Sequence, residues 1–337
     1  MNDINEKEID CQLINLSNLD VLNCLEYIAF NSNSTIVLAI QENIINSYFF
    51  KNNYLKRISS IKESRKDNDN LKQLEYLKAS NSILTTNQQN ILIAKLNCLN
   101  SRKFLQKIGH GLFDGCQTML FNQTQNNLFI SCFNQIHFFE KNIEGWKCSQ
   151  EIEVGYRDYV ISMCLNFQED ELQIYADDGY NCSAYIYIYQ KKTQQQEINW
   201  ILIQTISFGN GIGKLWGGFV DHLFFFNEGV LDVYKKSDQS QDYIQYASSL
   251  LKSHSSIFWQ FLQNKFVLLI EKNNSIIVMK LNLQQKLEFI KSITIDMSEL
   301  INKFSYYSEI NAILTQDEKL LVIWNKKKTL IIKMINI

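Results

Sequence analysis

The chain contains no proline, and only 12 glycines and four histidines among its 337 residues. Without proline no turn is pre-set at its fixed φ, so the chain must reverse direction with Asn, Asp and Gly, which tolerate positive φ. No apolar run approaches the ~20 residues that span a bilayer. The opening residues Met1-Asn2-Asp3-Ile4-Asn5-Glu6-Lys7-Glu8 are too polar and acidic for a signal peptide. A basic excess is also missing: the net charge is -2 and the pI about 6.1. A protein that grips a phosphate backbone needs surplus Lys and Arg, so neither nucleic acid nor a membrane is an expected partner. The one tight basic run, Lys326-Lys327-Lys328, reads as a solvated hairpin turn, and Lys62 to Asp67 as a mixed-charge loop.

Catalytic and metal signatures are equally scarce. The eight cysteines, Cys11, Cys24, Cys98, Cys116, Cys132, Cys148, Cys164 and Cys182, include no C-x-x-C pair and mostly occupy apolar segments. They read as small buried residues of a reducing compartment, the cytosol or the nucleus. His110, His137, His222 and His254 stand at no metal-ligand spacing from Cys, His or a carboxylate, so no metal or cofactor is expected. His137 alternates with apolar neighbours and reads as a core residue, and His110 as a bracing one. Gly209-Asn210-Gly211-Ile212-Gly213 has neither the spacing nor the flanks of a dinucleotide fingerprint. Asp67-Asn68-Asp69-Asn70 and Asp177-Asp178-Gly179-Tyr180-Asn181 lack the full ligand order of a calcium loop and read as turns. No nucleophile elbow is present, and the chain is not expected to be an enzyme.

What is present is strand. Hydrophobic residues are 46% of the chain and aromatics 12%, enough for a chain this long to bury roughly three quarters of its unfolded surface without staples. The clearest unit begins at Cys116: strands over 116–121, 127–133, 135–140 and 146–154, joined by short turns. Four short strands in about 40 residues is the size of a propeller blade. The order recurs, with units near 18–61, 72–110, 111–154, 155–208, 209–252, 253–297 and 298–337 after a polar tail over 1–8. The last unit supplies only three strands, while an N-terminal strand over 9–16 has no unit of its own. Deficit and surplus match, so the expectation is one all-β domain: a seven-bladed β-propeller of four-stranded antiparallel blades, its ring closed by the N-terminal strand.

Two local echoes accompany the repeat. Third strands end in an aromatic and a lysine (Phe50-Lys51, Phe139-Glu140-Lys141, Tyr189-Gln190-Lys191, Tyr234-Lys235), and fourth strands twice open Trp-x-x-x-Gln, at Trp146 to Gln150 and Trp200 to Gln204. With the Gly109-His110 step, these resemble WD40 repeats that have drifted across the whole chain. No Trp-Asp dipeptide is present. The resemblance implies a non-catalytic scaffold that binds a protein or peptide on one end face. Loops there are expected to carry the contact residues His110, Tyr156, Arg157, Asp158, Asp178, Lys214 and Trp216, of which Tyr156, Arg157 and Trp216 are the types that dominate interfaces. Two alternatives stand beside it: a structural subunit of a larger assembly, and a propeller enzyme with polar groups converging on a central channel.

Overall fold

Apolar residues on successive positions, rather than on every second one, mark strands that are covered on both faces. Ile36–Gln41 has this pattern, with Val37, Leu38, Ala39 and Ile40 all buried; Glu171–Asp178 is likewise buried from Glu171 through Ala176, although Glu171 and Gln173 are polar. A computed structural model describes residues 10–14, 25–42, 44–51, 54–62, 71–86, 90–96, 106–108, 116–155, 158–178, 183–194, 197–208, 213–216, 222–227, 230–250, 257–262, 265–272, 275–281, 287–294, 311–315, 320–324 and 329–335.

The described strands form seven antiparallel sheets of four. The first sheet holds β2 (Leu25–Phe30), β3 (Ile36–Gln41), β4 (Ile44–Lys51) and β5 (Tyr54–Lys62). The second holds β6 (Lys72–Leu77), β7 (Ser82–Thr86), β8 (Ile91–Lys95) and β9 (Gln106–Ile108), with a 3-10 turn over Lys78–Ser80. Next come β10 (Cys116–Phe121), β11 (Asn127–Cys132), β12 (Gln135–Asn142) and β13 (Gly145–Glu153). They are followed by β14 (Asp158–Leu165), β15 (Glu171–Asp178), β16 (Ser183–Gln194) and β17 (Glu197–Phe208). The fifth sheet is β18 (Gly213–Trp216), β19 (His222–Asn227), β20 (Val230–Lys236) and β21 (Tyr243–Leu250), and the sixth β22 (Ile257–Leu262), β23 (Lys265–Lys272), β24 (Ser275–Leu281) and β25 (Leu287–Thr294). The last sheet has the order β1-β28-β27-β26, from β26 (Asn311–Leu314), β27 (Leu320–Trp324), β28 (Thr329–Ile335) and the N-terminal β1 (Asp10–Ile14). Asp10 pairs with Ile335 and Ile14 with Ile331, so the surplus strand fills the deficient sheet. Among the described residues no helix is long and apolar enough to cross a membrane.

The chain divides into two compact units: Met1–Thr85, Leu92–Gln106 and Ser255–Ile337 in one, Thr86–Ile91 and Lys107–His254 in the other. In the first, β3 has two buried faces. Val37 and Ala39 join Tyr48, Leu320, Val322 and Trp324 in one cluster, while Leu38 and Ile40 join Ile61, Leu74, Ile83 and Leu92 in another. In the second, Leu172, Ile174 and Ala176 pack with Phe129, Phe138 and Trp200, and Tyr175 packs with Leu215, Leu223 and Phe225. In β3 and β15 side chains thus alternate between two cores rather than between core and water.

Repetition is visible in three devices. Asn31, Asn122 and Asn166 each close the turn between the first two strands of a sheet. Their side-chain oxygens accept backbone N–H bonds from Ile36, from Asn126 and Asn127, and from Asp170 and Glu171, respectively. Three residues after each Asn, a residue adopts positive φ: Ser34 at 57°, Gln125 at 55° and Glu169 at 58°. Thr315 replaces Asn in the last sheet, its hydroxyl accepting from the Leu320 N–H at 3.0 Å.

The second device is a β-bulge between third and fourth strands, found among the described residues in five sheets, at Ser47/Tyr48, Phe138/Phe139, Ile188/Tyr189, Val233/Tyr234 and Val278/Met279. One residue of the fourth strand has no partner there, and a bulge turns it outward. Exposed apolar side chains sit on these bulged residues: Ile58, Ile203 and Tyr246.

The third device is a glutamine clamp in the second unit. Gln150 donates to the Trp200 carbonyl at 3.3 Å and accepts its N–H at 2.9 Å, and Gln204 does the same for Tyr243 at 3.0 and 2.8 Å. These are the glutamines of the two Trp-x-x-x-Gln segments. Each takes the place of a backbone partner for the outer strand of the next sheet. Deeper in, Glu171 is fully buried and ion-paired with Lys236, and its second oxygen accepts the Tyr243 hydroxyl at 2.7 Å. Gln173 donates to that same hydroxyl at 3.1 Å, and Cys164 to Gln173 at 3.3 Å.

Candidate functional site

The sequence places its expected contact residues in loops, and the structure differs at four of them. Asp158 is the first residue of β14 and Asp178 the last of β15, and the two are direct cross-strand partners. Lys214 and Trp216 lie within β18, paired with Phe226 and Phe224, rather than in the loop before it; their side chains lie outside what the structure describes. The ladder extends this far because antiparallel pairing continues for as long as both backbones remain extended, whatever the polarity of the side chains. His110, Tyr156 and Arg157 lie outside the described residues.

Asp158 and Asp178 are therefore brought together, with Asp177 beside them. Asp158 is 4% exposed and accepts the Tyr187 hydroxyl at 2.5 Å. Burial pushes its carboxyl above the usual aspartate range, the tyrosine bond works in the opposite direction, and the Asp178 charge adds to the rise. Burial raises Asp177 as well, with the charges of Asp178 and Asp158 adding to it. The Tyr187 phenol is pushed up by burial and by its bond to Asp158. Gly155 is required beside this pair: a Cβ there would stand 2.3 Å from Asp158 Oδ2 and 2.6 Å from the Tyr187 oxygen. The Asp158 N–H returns to the Gly155 carbonyl at 3.2 Å, which closes the base of the short segment carrying Tyr156 and Arg157. Asp158 thus serves as a buried support, and Asp178, half-buried, stands nearer the surface.

A second constellation escaped the spacing rules. His137 on β12 faces Glu151 on β13, with Nδ1 to Oε1 3.4 Å, and Cys148 Sγ lies 3.9 Å from the same oxygen. Donor atoms of the three residues all lie within 4.8 Å of one another. His137 is buried, Cys148 half-buried and Glu151 exposed. Burial pushes the Cys148 thiol up, and the Glu151 charge adds to it. Separations of eleven and fourteen residues match no linear metal motif. They meet because a hairpin folds β12 onto β13, and the signal available in the sequence was the paired strand pattern, not the spacing.

No protein-family model matches the chain, and no curated protein matches it in sequence. Solved structures do match in shape. The β-propeller domain of Cps50 (Swd1) from Myceliophteria thermophila superposes with a TM-score of 0.62 at 10% identity, covering 97% of this chain and 100% of that one. A Lactobacillus plantarum protein gives 0.59 at 8% identity, over 80% of this chain and 85% of that one. A candidate 6-phosphogluconolactonase from Bacteroides uniformis gives 0.56 at 12% identity with the same coverages. At such identities the likeness concerns shape alone. Together with four-stranded antiparallel sheets stacked face to face, it shows a β-propeller fold.

Proposed function

We propose that the seven sheets are the blades of one ring, closed where β1 joins the last sheet, and that this ring is a non-catalytic scaffold for a protein or peptide partner. The kinship proposed is with WD40 repeat proteins, on the drifted Trp-x-x-x-Gln and aromatic-lysine segments. The end that carries Gly155, Asp158 and Asp178 is the binding face, with His110, Tyr156, Arg157, Lys214 and Trp216 as its further contacts. The observation that carries this is the anchorage of the 155–158 segment. The Gly155 carbonyl, the Asp158 carboxylate and the Tyr187 hydroxyl fix both ends of the stretch bearing Tyr156 and Arg157. Two interface-type side chains on a rigid base lose less freedom on binding than they would on a free loop. Buried thiols favour a reducing compartment, the cytosol or nucleus, as the setting.

The test is affinity capture from native lysate. The wild type is compared with Tyr156→Ala, Arg157→Glu and Trp216→Ala, each checked for folding by circular dichroism. A specific partner retained by the wild type and lost by a folded variant supports both the role and the face. Equal capture by all four moves the binding face elsewhere. No partner above background sinks the scaffold reading and turns attention to turnover of small substrates.

A further inference from the structure

We propose that His137, Cys148 and Glu151 form a binding site for a zinc-type transition-metal ion on the outer strands of the sheet β10–β13. The case begins with the bulge. In a regular strand, residues 148 and 151, three apart, point to opposite faces. The register shift at Phe138/Phe139 leaves Ser149 unpaired, so Cys148 pairs with Phe139 while Glu151 pairs with His137. Residues 137 and 139 are two apart on β12 and share a face, so Cys148, Glu151 and His137 share it too.

The donors then have the right chemistry and separation. Imidazole nitrogen, thiolate and carboxylate are the three ligand types zinc takes, and three protein ligands leave a fourth position open to water. Two N/O donors at zinc distances across a tetrahedral angle stand roughly 3.4 Å apart, and the His137 Nδ1 to Glu151 Oε1 separation is 3.4 Å. The sulfur lies 3.9 Å from that oxygen, against roughly 3.6 Å for a tetrahedral sulfur–zinc–oxygen pair, so a shift of a few tenths of an ångström in the exposed Glu151 brings it to ligand distance. Burial falls from His137 through Cys148 to Glu151, so the group is seated at its histidine and open to solvent at its carboxylate.

The same three positions exist in other bulged sheets, and there they hold different side chains. Register equates them with Asn46, Arg57 and Ser60, with Tyr187, Leu202 and Thr205, and with Asp232, Gln245 and Ser248. In the last of these sets Gln245 simply donates to Asp232 at 2.8 Å. The bulge supplies a common frame, and in the sheet β10–β13 that frame is furnished with three metal-ligating types.

The experiment uses the full chain stripped with chelator. It is titrated with Co²⁺ under absorbance detection, and with Zn²⁺ in competition with a chromophoric chelator. One equivalent of Co²⁺ should bind with a thiolate-to-cobalt charge-transfer band, and that band should be absent in Cys148→Ser. Zn²⁺ affinity should fall at least roughly tenfold in His137→Gln and in Glu151→Gln. Added Zn²⁺ should raise the melting temperature of the wild type and leave that of Cys148→Ser unmoved. Variants are accepted only with wild-type circular dichroism, and Cys148→Ala serves if Cys148→Ser does not fold. An unchanged band or affinity in the Cys148 variants overturns the site, as does a wild type that binds no equivalent of either ion.

Discussion

Asp177 is a residue whose environment works against its charge. Burial and the neighbouring Asp178 and Asp158 carboxylates hold its folded-state pKa above the ordinary 3.8. A carboxyl raised on folding favours the folded state only while protonated, and that contribution is lost as pH rises through the folded-state value. Removing the charge with Asp177→Asn is therefore expected to stabilise the protein at pH 7. The gain should shrink as pH falls and vanish once pH is well below the unfolded-state value of 3.8. Urea unfolding across that range measures it, and a gain independent of pH would refute the electrostatic account. Asp158 differs because its charge has a partner in Tyr187, and neutralising it would also remove a buried hydrogen bond.

At the scale of the element, the Asn-capped turns carry the strand order. Asn166 is 4% exposed and its side-chain oxygen accepts the Asp170 and Glu171 N–H groups, each at 3.0 Å. Asn166→Ala leaves two donors without that acceptor, one of them on the fully buried Glu171. An unsatisfied buried donor costs about 1–3 kcal/mol, so a loss of about 2 kcal/mol is expected by chemical denaturation. The equivalent change at Asn31 should cost less, since Asn31 Oδ1 accepts one backbone N–H where Asn166 accepts two. These turns are the legible part of the repeat. A chain without proline must turn on residues that accept their own backbone, and Asn before a strand signals it. The bulges were not legible, because a bulge is a property of two strands in register and neither sequence alone contains it.

At the scale of the whole molecule, sheets of the second unit are held to one another by polar clamps set in apolar layers. Lys236 from β20 reaches the buried Glu171 of β15, so the ion pair joins two sheets of the second unit. Lys236→Met leaves a buried carboxylate uncompensated, and a loss of about 3–5 kcal/mol is expected. Adding Glu171→Gln should recover part of it, since the second change removes the orphaned charge. A double-mutant cycle by thermal or urea unfolding measures the coupling, and simple additivity of the two changes would show that the pair does not couple.

The sequence by itself determined the class of structure: strands of four to a unit, the missing fourth strand at the C-terminus, and the spare one at the N-terminus. Strand pairing is written in apolar runs and Asn-rich turns, both local in the chain. It also marked Gln150 and Gln204 through their Trp-x-x-x-Gln segments, though not what they grip. Only the tertiary structure decided that Asp158 is a buried support rather than a loop residue, that Glu171 meets Lys236 from 65 residues away, and that His137 meets Cys148 and Glu151. Each of those depends on register and on which sheet stacks against which. Contacts of that kind arise from pairing between segments, and no single segment encodes them.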